Sequence, residues 1–244
     1  MNCLLKFRKY SLVLLFLITC NLTFSQVFDD FSDGDFIFNP EWKGDTSQFN
    51  ITNSSAIPAE MKPALQLDGI ESDTTYLYLE NSAFSNSEWQ FWIKLSFNTS
   101  ANNFARVYLV SDQANLESAL NGYFIQIGGA NDSIGLFRQN GINLEKIISS
   151  TNAFTGNSTN VLRIKVTRNA ENNWSLYSDV NGGYNFGLEG TAIDNTFLTT
   201  QYFGIFCKYT SSNSSKFYFD DFYVNEIIID TVPPVITNIE VISP

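Results

Sequence analysis

The side chains able to do chemistry in this 244-residue chain are carboxylates and aromatic rings, because it contains no histidine. Without histidine there is no Ser-His-Asp or Cys-His nucleophile and no His-ligated zinc or copper. No Gly-rich phosphate loop follows a strand and opens a helix. A carboxylate pair acting on a glycoside is the remaining catalytic option. The strand pattern that would hold one, E-x-D-x-x-E, is missing: Gln90 stands two residues after Glu88, and Glu189 to Asp194 is too long and lies in a Gly-rich, turn-like stretch. The chain is therefore read as a non-enzyme.

Two acidic phrases invite a different chemistry. Asp29, Asp30, Asp33 and Asp35 lie in FDDFSDGDF near the start, and Asp220 and Asp221 in FYFDDFYV near the end. If the first and last strands run side by side, Asp29, Asp30, Asp220 and Asp221 meet, and their hard oxygens suit a structural calcium ion. The competing expectation is that they are strand-edge carboxylates facing water, which discourage edge-to-edge pairing. A third chemistry is sugar recognition, in which an exposed ring stacks on a sugar face while polar side chains reach its hydroxyls. Alternation places Trp92, Arg106 and Tyr108 away from the core, with Gln126 and Arg138 beside them, as a ligand-binding set. A covering loop over that face would instead make Trp92 ordinary packing.

The elements that must position these residues have period 2. In Glu88 to Asn98, Phe91, Ile93, Leu95 and Phe97 alternate with Gln90, Trp92, Lys94 and Ser96, and Val161 to Arg168 alternates likewise. This is the pattern of half-buried antiparallel strand. Further runs at 64–67, 75–79, 105–110, 122–127, 134–138, 174–177, 202–209 and 216–229 are separated by turn clusters such as Asn181–Gly183. Only Gln113 to Leu120 could form a helical turn or two. Many short strands and almost no helix predict an all-β sandwich of two antiparallel sheets.

The ends of the chain read differently. Residues 1–25 have the form of a signal peptide, with Lys6, Arg8 and Lys9 ahead of a short apolar core and Thr23 and Ser25 before a cut at Gln26. The apolar run is too short to span a bilayer. A lipobox ending at Cys20 is the alternative, which would make a lipoprotein. Residues 26–229 form the sandwich domain and 230–234 (DTVPP) a Pro-rich linker. Residues 235–244 read as the first strand of a truncated immunoglobulin-like domain. Cleavage would remove those three cations from a chain already at −11, so nucleic acid and anionic membrane are poor partners. Only Cys207 would survive it, inside an apolar strand, as a buried small hydrophobe.

The phrases FDDFSDGDF, PEW at 40–42, EWQFW, ARVYLVSD, NGYFIQIGG and KFYFDDFYV resemble the concanavalin A-like N-terminal domains of exported Gram-negative bacterial proteins. The resemblance implies a jelly-roll sandwich over about residues 27–230, followed by immunoglobulin-like and lamin-tail-type domains of the same chain. It implies no particular activity. The expected function is a non-catalytic extracellular or cell-surface module that binds a polysaccharide or cell-surface glycan, or is adhesive. A purely structural spacer is the alternative, and a glycoside-active enzyme of the same fold the third.

Overall fold

The computed structural model describes residues 27–227, so the signal peptide, the linker and the final strand expected from sequence lie outside the described residues. Strands are numbered in chain order. One sheet holds β1 (Val27–Asp29), β3 (Phe49–Thr52), β4 (Ala64–Leu67), β6 (Ser87–Leu95), β11 (Asn160–Arg168), β12 (Asn173–Asp179), β13 (Gly187–Ile193) and β15 (Phe217–Glu226). The other holds β2 (Lys43–Gly44), β5 (Asp73–Glu80), β7 (Phe104–Ser111), β8 (Leu120–Gly128), β9 (Ile134–Gly141), β10 (Asn143–Ser149) and β14 (Tyr202–Tyr209).

The first sheet runs β13-β12-β11-β6-β15-β4-β3, with β1 sharing the β4 side of β15; the second runs β10-β9-β8-β7-β14-β5-β2. Val27 pairs with Val224 and Asp29 with Phe222, so the first and last strands are neighbours as their related phrases suggest. Every pairing is antiparallel, which suits strands with one solvated face.

The core lies between the sheets and is built from the inward half of each alternation. Trp89, Phe91, Ile93 and Leu95 of β6 meet Val107, Ile125 and Ile205 of the second sheet. Removing a Leu, Ile or Phe side chain from water contributes about 1.5–3 kcal/mol, which allows a fold with one buried free cysteine, Cys207, to stand without disulfides. All four tryptophans are buried, at 1% exposure or less. Trp89 stacks on Trp174 at 5.6 Å, while Trp42 packs at 5.1 Å from Phe222.

Two local expectations are corrected. Gln113 to Leu120 is a turn rather than helix, and its Leu116 and Leu120 pack on Phe124 and Phe206 over the outer face of the second sheet. The Gly-rich stretch at 187–193 is a strand, the exposed edge of the first sheet, whose ladder to β12 shifts register between Leu176 and Tyr177.

Candidate binding cleft

Alternation assigns a side chain to the inner or outer face of its own sheet, and the predicted sugar platform combined strands of both sheets. Trp92 points outward from β6 in the first sheet, whereas Arg106 and Tyr108 point outward from β7 in the second. The sandwich lies between them, so the expected common surface does not exist. Trp92 is 1% exposed and packs with Ile57, Met61, Ala64 and Tyr218, beneath the connection between β3 and β4. Tyr108 is buried against Phe124, and its hydroxyl donates to Gln139 Oε1 at 2.8 Å. Arg106 lies over the rings of Phe104, Phe124 and Phe206 and donates from Nε to Gln126 Oε1, so Gln126 does share its face. Arg138 pairs across β8 with Tyr123, a core residue, and so points to the opposite face of that sheet from Arg106 and Gln126. There it bonds Asp194 and Glu145, while Tyr123 donates its hydroxyl to Asp194 at 2.5 Å. This clamp fixes the start of the segment that follows β13.

Of the four aspartates expected to hold calcium, Asp30 and Asp221 lie near Asp220 while Asp29 turns the other way. Asp29 faces the core, where Trp42 Nε1 and the Phe31 amide donate to its two oxygens at 2.8 and 2.9 Å. Burial pushes its carboxyl up to about 6. Asp220 pairs with Trp92 on the outward side of β15; burial, reinforced by the neighbouring Asp221 charge, pushes it up to about 8. Asp221 sits at a ladder irregularity with φ 51° and its Oδ2 accepts from Arg163 Nη2 at 2.6 Å. Asp30 accepts the Ser32 amide. A cation would have to displace those donors and gather oxygens that face different sides of the sheet. Among the described residues no group of three or more Asp, Glu, Cys or His side chains is placed to hold a metal ion.

What the outer face of the first sheet does hold is a cleft centred on Arg163, Tyr184 and Asp221. Arg163 pairs with Trp92 across the β11–β6 ladder, and Lys165 with Gln90. Arg163 is 3% exposed and donates through Nε to the Gly182 carbonyl at 3.2 Å and through Nη2 to Asp221 and to Met61 Sδ at 3.7 Å. Its guanidinium lies 4.1 Å from the centre of the Tyr184 ring, which is itself 69% exposed. The β12–β13 turn sets that ring in place. Asp179 accepts the amides of Asn181 and Asn185, and Gly182 presses against Trp92 and Val161 with φ +76°. On one side of Tyr184 the cleft holds about 270 Å³ lined by Phe28, Glu88, Gln90 and Tyr223. On the other it holds about 280 Å³ lined by Pro58, Glu60, Met61, Trp92 and Asn181.

Of the residues named from sequence, only Trp92 and Asp221 border this cleft, in the roles of wall and ion-pair partner. Arg163, Tyr184, Gln90 and Phe28 were missed. The signal for Gln90 and Arg163 was present, since both occupy outward positions in the two clearest alternating strands. Tyr184 follows a turn, where no periodicity marks it.

No family model matches the chain, and no curated protein matches it. Solved structures do. The VIP36 exoplasmic/lumenal domain in its Ca2+/Man3GlcNAc-bound form aligns with a TM-score of 0.57 at 11% identity, over 85% of this chain and 90% of that one. The carbohydrate-binding module CBM66 from Bacillus subtilis aligns with a TM-score of 0.51 at 14% identity, over 75% and 94%. The Emp47p carbohydrate recognition domain aligns with a TM-score of 0.50 at 13% identity, over 76% and 89%. At such identities the likeness establishes the fold: a concanavalin A-like jelly-roll sandwich. Among the described residues no helix is long and apolar enough to cross a membrane.

Proposed function

We propose that this domain is a non-catalytic, extracellular glycan-binding module and that the cleft around Tyr184 is its ligand site. The observation that carries the reading is an exposed tyrosine ring stacked on the guanidinium of the buried Arg163, which is paired with Asp221, with amide and carboxylate side chains on both sides. Rings supply the stacking surface for a sugar face, and Gln90, Asn181, Glu88 and Asp221 supply partners for hydroxyls. Since every tryptophan is buried, the stacking must come from Tyr184 and Phe28, which are 69% and 56% exposed.

The neighbours support this reading: CBM66 is a carbohydrate-binding module, the Emp47p domain a carbohydrate recognition domain, and the VIP36 domain has Man3GlcNAc bound. Two of the carboxyls at the cleft are poorly placed for acid–base work. Asp220, the carboxyl raised to about 8, lies 3% exposed behind the cleft, and Asp221 is tied to a cation. The exported state, and the place of the domain at the N-terminus of a larger cell-surface protein, belong to this proposal through the sequence. Calcium enters it only through the Ca2+-bound VIP36 structures, and ligands other than the four strand aspartates would have to hold the ion.

The test is a glycan array probed with residues 26–244 and with the Tyr184→Ala variant. Binding by the parent that the variant loses is expected. A silent array with folded protein would favour the structural spacer.

A further inference from the structure

We infer that the cleft takes an internal stretch of an uncharged, linear polysaccharide that passes across Tyr184 and fills both halves. This rests on the glycan-binding reading above and specifies its ligand. Three observations carry it.

The first is continuity with division. The two halves share Arg163, Tyr184 and Asp221 as common lining, so they form one groove with the exposed Tyr184 ring between them. Each half, at about 270 and 280 Å³, is close to the roughly 300 Å³ of the smallest ligand pockets, and the joined groove is about twice that. A ligand that uses the groove fully is therefore longer than one unit and must cross the ring.

The second is the distribution of polar groups. Each half has its own acid and its own amide: Glu88 with Gln90 on one side, Glu60 with Asn181 on the other. This repeat of acceptor-rich chemistry about a central ring suits successive hydroxyl-bearing units of a chain.

The third is charge. The cation in the groove is buried and its charge is paired with Asp221. Lys165, next along the strand, rests over the rings of Tyr177 and Phe186. With Arg163 and Asp221 cancelling one another, Glu60 and Glu88 leave the lining of the groove net negative. A uronate or sulfated chain would bring like charges together, on a protein whose formal charge is already −11. The groove thus rejects anionic glycans and accepts neutral ones.

Isothermal titration of residues 26–244 with laminari-, cello- and manno-oligosaccharides of one to six units tests the inference, with polygalacturonate and alginate as charged probes. For a series that binds, affinity should rise by at least about tenfold, one decade in the dissociation constant, between one unit and four, then level off. Tyr184→Ala should return long oligomers to the affinity of the single unit, while Tyr184→Phe should keep the length dependence. The melting temperature of each variant guards against misfolding. Equal affinity for one and six units, or binding of polygalacturonate or alginate as tight as that of the neutral series, would overturn the inference and leave the glycan-binding reading standing. No binding of any neutral or charged probe would overturn both.

Discussion

Truncating Trp92 to alanine is expected to cost about 3–5 kcal/mol of stability, because its side chain is buried among Ile57, Met61, Ala64 and Tyr218. Truncating Tyr184, whose ring is mostly in water, should change stability by no more than about 0.5 kcal/mol. A pair of denaturant titrations checks both: similar losses would mean that the assignment of wall and platform is wrong. Asp220 carries a second residue-scale prediction. In the unfolded chain its carboxyl titrates near 4, and in the fold burial holds it at about 8. Folding therefore favours the protonated form, and the stabilising contribution is complete below about pH 4 and lost as pH rises through about 8. The groups facing it are Asp221, Asp30 and Arg163, and the first two add to the penalty on ionising it. Asp220→Asn keeps an oxygen for the Asp221 amide and cannot ionise. It should raise the melting temperature by at least about 2–4 °C at pH 9, the shift that 1 kcal/mol gives a domain of this size, and by little at pH 5. A gain of the same size at both pH values would show that ionisation is not the cause.

At the scale of elements, the β12–β13 turn is the part on which the cleft depends. A Cβ on Gly182 would lie 2.6 Å from both Trp92 Nε1 and Val161 Cγ1, at φ +76°. Gly182→Ala is expected to cost about 1–3 kcal/mol through the left-handed backbone alone, more with the clash, and to move Tyr184 off Arg163. Gly34→Ala is the control: φ is +80° there, but open space surrounds the new methyl. It should show the backbone cost without any change in ligand binding. Elements were the most legible level of the sequence. The strands at 64–67 and 202–209 fall on their expected bounds, and the inward sets of β6 and β11 are those the alternation marks. Period 2 tells which side of a sheet a residue takes but not which sheet its strand joins. β6 and β7 follow one another in sequence yet enter opposite sheets, and that alone separated Trp92 from Arg106 and Tyr108. The same limit hid the cleft, because Arg163, Asp221 and Tyr184 come from distant stretches that meet only through the pairing of β6 with both β11 and β15. The aspartate set is divided for a related reason: sequence placed the strands together correctly, but Asp29 and Asp220 fall on different faces of their sheet.

For the whole molecule, the described fold closes its hydrogen-bonded sheets by Glu226. A chain ending at Ile229 should therefore melt within about 2 °C of residues 26–244, less than the shift expected from 1 kcal/mol. A chain ending at Asn213, which lacks β15, should not fold. Circular dichroism melts of the two truncations read both outcomes, and unfolding of the longer one would place the domain boundary further along. The position of β15 also sets a schedule. It lies inside its sheet, with β6 on one side and β1 and β4 on the other, and its first partner, Val27, precedes it by nearly the whole described chain. Contacts so remote in sequence form late and slowly, toward the seconds end of the range for all-β domains. A chain emerging from the ribosome from its N-terminus thus has a gap at the centre of the first sheet until residues 217–226 have been made. Until then β1 has no partner, and Trp42, Phe31 and Phe203 lack the Phe222 ring that joins them. Such a domain stays open until its own last strand has been made, the condition in which it could be threaded through a narrow translocation pore before it locks shut.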